Sequence, residues 1–139
     1  MVQLIVGREG KGKTKELLNK VNTAIKSVNG NVVYLDKSTK HMYELNNKIR
    51  LIDVSSYPIM SSAEFLGFIC GVISQDHDLE EIYLDSFLKI TKVCDSDIEN
   101  VIRRLEAIGK QFQITFTLSI SKDREELPEE IRGMIIAEM

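Results

Sequence analysis

Apolar residues along this chain follow two rhythms: short unbroken runs, and longer stretches spaced three and four apart. Val2 to Val6 is a short run with Gln3 inside it, and it ends at Gly7, as a buried strand does. From about Lys13, the residues Leu17, Leu18, Val21, Ala24, Ile25 and Val28 recur at helical spacing, and Gly30 supplies a stop. Val32 to Leu35 is β-branched and aromatic and closes on Asp36, so a second strand is predicted there. Lys37 to Lys48 is polar and shows neither rhythm. Ile49 to Val54 predicts another strand, near a sheet edge because Arg50 and Asp53 interrupt it.

Ser61 with Glu64 three residues on forms a capping box, followed by Phe65, Leu66, Phe68, Ile69, Val72 and Ile73. A helix is predicted from about Ser62 to Gln75. Ile82, Tyr83 and Leu84 lead into Asp85 as a strand would. Ser96 and Glu99 make a second capping box, and Ile98, Val101, Ile102, Leu105 and Ile108 carry a helix to a stop at Gly109. Phe112 to Ser119 alternates polar and apolar, the period of a strand. Pro128, beside Glu129 and Glu130, suits the first turn of a short helix, and Met134 to Ala137 predicts a last strand. Strands alternating with helices define an α/β fold: three αβα layers around a mostly parallel central sheet of about five strands. Such sheets bind ligands at the carboxyl ends of their strands.

Composition narrows the function classes. A length of 139 residues corresponds to a single domain spanning 1–139. With 43% hydrophobic and 28% charged residues the chain is neither disordered nor membrane-spanning. Its longest apolar cluster, Ala63 to Ile73, is broken by Glu64, Gly67 and Gly71 and is too short to cross a bilayer. A net charge of -3 gives no sign of nucleic-acid binding but permits a local basic pocket. Cys70 and Cys94 lie far apart with no CxxC, which argues against a disulfide framework or a zinc site. Cys70, on an apolar helix, is expected in the core, and His41 and His77, in polar surroundings, at the surface. The first residues show no basic leader, so a cytoplasmic location is expected.

One segment carries chemistry. Gly7-Arg8-Glu9-Gly10-Lys11-Gly12-Lys13-Thr14 satisfies G-x-x-x-x-G-K-[ST] and sits between a predicted strand and a predicted helix. Glycines allow positive φ and close approach of amides to phosphate oxygens. The helix N-terminus that follows favours an anion. Lys13 is placed to reach β- and γ-phosphates, and the Thr14 hydroxyl to ligate Mg²⁺. Lys11 and Lys15 add positive potential. Asp85, ending an apolar run, supplies a carboxylate that can hold Mg²⁺ through water. Asp36 and Asp53 also end strand-like runs and are its rivals, with turn capping as their simpler role.

On these residues the chain resembles a P-loop nucleoside-triphosphatase, with Gly7 to Thr14 as Walker A and Asp85 as the Walker B aspartate. The βα unit containing Val32 to Asp36 resembles the RecA-like, additional-strand division. The chain is also similar to small stand-alone bacterial proteins labelled as relatives of twitching-motility ATPases. The resemblance implies a P-loop fold, ATP and Mg²⁺ as cofactors, contacts from Gly7 through Lys15, and a polar sensor at Thr117 or Ser119. In that division a glutamate usually follows the Walker B aspartate; here Ser86 does, and a serine hydroxyl alone is no base. Glu9, Glu64 or Asp53 could supply the carboxylate, and Arg103, Arg104 or Arg124 an arginine finger if chains pack together. The expected function is ATP binding with weak or partner-dependent hydrolysis, a homo-oligomer or protein partner completing the site. The alternatives are a nucleotide-controlled regulatory module without catalysis, a nucleoside-type kinase, and a corrinoid adenosyltransferase relative.

Overall fold

The computed structural model describes all of residues 1–139. Its strands are β1 (Val2–Val6), β2 (Asn31–Asp36), β3 (Arg50–Asp53), β4 (Leu79–Leu84), β5 (Thr115–Ile120) and β6 (Ile135–Glu138). Its helices are α1 (Lys13–Ala24), α2 (Ser62–Ser74), the short α3 (Phe87–Thr91) and α4 (Ile98–Phe112). The strands form one sheet in the order β3-β2-β4-β5-β1-β6, and every neighbouring pair is parallel. The sheet therefore has six strands rather than about five. The strand lying between β1 and β4 is β5, which comes late in sequence. β3 is an edge strand, as its interrupting charges predict.

Both faces are covered, which is why the central strands read as unbroken apolar runs. On one face α2, α3 and α4 close a core of 27 buried residues. On the other, Leu17, Leu18 and Val21 of α1 pack over Ile5, Val32, Tyr34 and Tyr83 in a core of only 8. β5 belongs to both: Phe116, Leu118 and Ile120 enter the larger core, while Thr117 and Ser119 are buried on the opposite face. Its alternation distinguishes two buried faces, not core from solvent.

Several boundaries differ from expectation. α1 ends at Ala24, and Ile25 to Val28 continue only as turns bonded to Val21, Thr23 and Ala24. The Ser61 box forms in part: Ser61 Oγ accepts from the Glu64 amide, while the Glu64 carboxylate caps Met60 N rather than Ser61 N. The Ser96 box does not form, because Asp95–Asp97 make a 3₁₀ turn and α4 begins at Ile98. Nor does α4 stop at Gly109. It runs to Phe112 and turns at Gln113, whose φ is 57°. Gly109 answers a close approach instead, since a Cβ there would lie 2.6 Å from the Ile114 carbonyl oxygen. Cys70 is exposed, not core. In a continuous apolar run the helical period decides which residues turn inward, and α2 buries Phe65, Leu66, Ile69, Val72 and Ile73.

Candidate functional site

The segment after β1 is built for tight, left-handed turns. Gly7, Gly10 and Gly12 have φ of 148°, 79° and 95°, values that β-carbons disfavour. Gly12 caps α1 in a left-handed conformation, with no side chain bonded over the helix end. The amides of Gly12, Lys13, Thr14 and Lys15 donate to no other protein atom and open one concave loop. Lys13 is buried despite its charge, and its Nζ donates to the Arg8 carbonyl oxygen at 2.8 Å. Burial lowers its pKa, while Glu9, Asp85 and Asp123 act in the opposite direction.

This loop walls a small cavity of about 230 Å³ with no hydrophobic lining residue. Lys13 and Thr14 face Asp85 and Ser119 across it, with Glu9, Lys37 and Lys89 at the rim. Asp85 follows β4 directly and is held by three donors. Ser119 Oγ donates to Oδ1 at 2.5 Å, the Ser86 amide to Oδ1 at 2.9 Å, and the Tyr34 hydroxyl to Oδ2 at 3.0 Å. Ser86 can fold its amide back because its φ is 55°, a left-handed value that costs a serine about 1 kcal/mol or more. Burial first, and the Asp85 charge second, push the ionisation of Tyr34 far upward, so it stays a neutral donor. The carboxylate is a positioned, hydrogen-bonded charge.

A second carboxylate stands beside it. β2 and β4 pair with Leu35 opposite Leu84, so Asp36 neighbours Asp85 on the next strand. Only 2% of Asp36 is exposed. Its Oδ1 accepts from the Lys37 amide at 2.7 Å, and its Oδ2 has no partner. Burial raises its pKa against the pull of that amide, and the nearby Asp85 charge raises it further. At the rim Lys89 bridges to Glu9 at 3.0 Å, which lowers the Glu9 pKa and raises that of Lys89.

Other candidates lie elsewhere. Arg8 points out to Asp123 at 2.8 Å, and Lys11 and Lys15 are exposed outside the cavity. Thr117 lies two residues before Ser119 and donates to Gln3 Oε1 at 3.3 Å rather than reaching Asp85. Asp53 caps a turn through Ser55, and Glu64 caps α2. Arg103 bridges Glu106 and Glu99 along α4, and Arg124 faces Glu138. Tyr34 and Lys37 are additions. Tyr34 carried a readable signal, being two residues before Asp36 on one strand and so on the same face. Lys37 carried none, while Lys89 lies in the Ser86–Asp95 segment after the strand of Asp85, where contacts to a substrate or partner are expected.

The chain was compared with known proteins. No family model matches it, and no curated protein matches it significantly. The site combines a glycine-rich loop of unpartnered amides, one buried ammonium, one hydroxyl and two adjacent strand-end carboxylates.

Proposed function

We propose that this protein binds a nucleoside triphosphate with Mg²⁺ in the Gly7–Thr14 loop, as a P-loop protein of the additional-strand kind, and hydrolyses it slowly or only with a partner. The carrying observation is the all-polar cavity that sets Lys13 and Thr14 against Asp85 and Ser119 at the strand ends. The strand between β1 and β4 supports the additional-strand reading, because β5 delivers Ser119 to Asp85.

The residues fit the cation. Mg²⁺ takes hard oxygen ligands and is usually bound by one or two carboxylates together with phosphates and water. Thr14 and Asp85, which both line the cavity, offer hard oxygens of that kind, and no group of three His, Cys, Asp or Glu forms a site without phosphate. Slow hydrolysis follows from what stands after Asp85. Ser86 replaces a glutamate and its amide is committed to Asp85 and Ser119. Glu9, the other carboxylate lining the cavity, is paired with Lys89, so the cavity can bind and position more readily than it can activate water.

Calorimetry with ATP and Mg²⁺ tests this reading. Wild type should bind with Mg²⁺-dependent affinity, and Lys13→Ala should weaken binding by about 2 kcal/mol or more, as expected for a lost charge-assisted contact. No heat at millimolar ATP and Mg²⁺ sinks the proposal. The regulatory alternative keeps one support, the absence of a carboxylate after Asp85. Steady phosphate release that Asp85→Asn abolishes would remove it.

A further inference from the structure

A second cavity, of about 560 Å³, opens beside the phosphate cavity and shares Lys37 and Lys89 with it. Its character is different. Val54, Ile59 and Ile90 give it an apolar floor, and each is buried in the protein. Its charged lining residues are Lys37, Lys89 and Lys92, and no acidic side chain lines it. Two elements bring those ammonium groups together: Lys37 follows β2, while Lys89 lies on α3 and Lys92 caps its end with a φ of 59°. Lys37 and Lys89 line both cavities, two like charges on one shared wall. Glu9 meets them only from the phosphate side, through Lys89.

Small-molecule sites have this composition and size: an apolar body of a few hundred cubic ångströms with a few convergent polar groups at one end. Adjacent ammonium groups repel, and an anion between them converts that repulsion into attraction. An apolar floor without the lysines would suit any hydrophobe, and the lysines without the floor would suit a bare ion. The combination selects a molecule carrying both parts.

We infer that this second cavity is a binding site for a small amphipathic anion, its carboxylate or phosphate between Lys37 and Lys89 and its apolar body against Val54, Ile59 and Ile90. This goes beyond nucleotide binding and does not require it. The shared wall of Lys37 and Lys89 places the anionic head of this ligand next to the phosphate cavity, where a second substrate or an effector would meet a bound triphosphate.

The test uses methyl-labelled protein without nucleotide, so a protein that fails to bind ATP leaves the outcome readable. The probes are 4-(trifluoromethyl)benzoate, 4-(trifluoromethyl)phenyl phosphate and the neutral 4-(trifluoromethyl)benzamide. The methyl signals of Val54, Ile59 and Ile90 should shift with either anion, at about tenfold lower concentration than with the amide. The better of the two anions identifies the head group. In a Lys37→Ala/Lys92→Ala variant, whose changed residues are both exposed and so leave the fold intact, the anions should fall to within about twofold of the amide. Equal binding of the amide and the anions overturns the inference. So do anion-induced shifts confined to the Thr14 methyl, or no shift at about 5 mM probe.

Discussion

Replacing Asp36 by asparagine keeps the shape of the side chain and removes its charge. In the native protein Asp36 has 2% of its surface exposed, one bonded oxygen and one without a partner, beside the Asp85 carboxylate. Leaving a buried polar group unsatisfied costs about 1–3 kcal/mol, and more when the group is charged. The asparagine oxygen can keep the Lys37 amide bond, so the change removes only the charged part of the cost. Asp36→Asn should therefore stabilise the nucleotide-free protein by about 1–2 kcal/mol at pH 8, or about 3–7 °C in midpoint for a domain of this size. The sign with pH follows from the raised pKa. A carboxyl whose folded pKa lies above its unfolded value loses stability as pH rises from the unfolded pKa through the folded one. The wild type should thus be the less stable at pH 8, and the difference should shrink as the pH falls toward the unfolded carboxyl range at about 4. Thermal melts at pH 4 and 8 measure all of this. An Asp36→Asn protein less stable than wild type at pH 8, or more stable by the same margin at both pH values, would refute the reasoning.

Further consequences are local. Gly109→Ala should destabilise by about 1–3 kcal/mol although alanine is the better helix former, because its Cβ would press on the Ile114 carbonyl; chemical denaturation measures it. Ser61→Ala should cost about 1 kcal/mol through the lost cap of α2, while Ser96→Ala should cost almost nothing, because the Ser96 box is not formed. Tyr34→Phe should keep the fold and weaken Mg²⁺-dependent nucleotide binding severalfold, because it removes one of three donors that orient Asp85; calorimetry separates that effect from a change in melting.

Much of the fold was legible in order and type, and the reasons show in particular residues. Val2–Val6, Val32–Asp36 and Ile82–Leu84 are short apolar runs that close on a glycine or an aspartate, and a strand is the only element short enough to end there. The edge position of β3 followed from Arg50 and Asp53. Where the apolar run was continuous, as in α2, the sequence could not say which way Cys70 points. Where a residue has two uses, as Gly109 does, a helix stop and a close packing contact look alike in one dimension. The Ser96 box matched in spacing, but the turn of Asp95–Asp97 took the chain another way.

The sequence by itself determined the loop from Gly7 to Thr14. Its requirements are positive φ, a strand before and a helix after, and all are local, so residue types at fixed spacing encode them. It also determined that Asp85 ends a strand. Only the tertiary structure decided what surrounds that carboxylate. Strand order places Ser119 of β5 and Tyr34 of β2 on either side of it, although they lie 34 and 51 residues away in the chain. The parallel register sets Asp36 beside Asp85, and the fold after β4 brings Lys89 to Lys37. Sheet order and register arise from which apolar faces pack together, a property of the whole core rather than of any segment, and a linear pattern does not carry it.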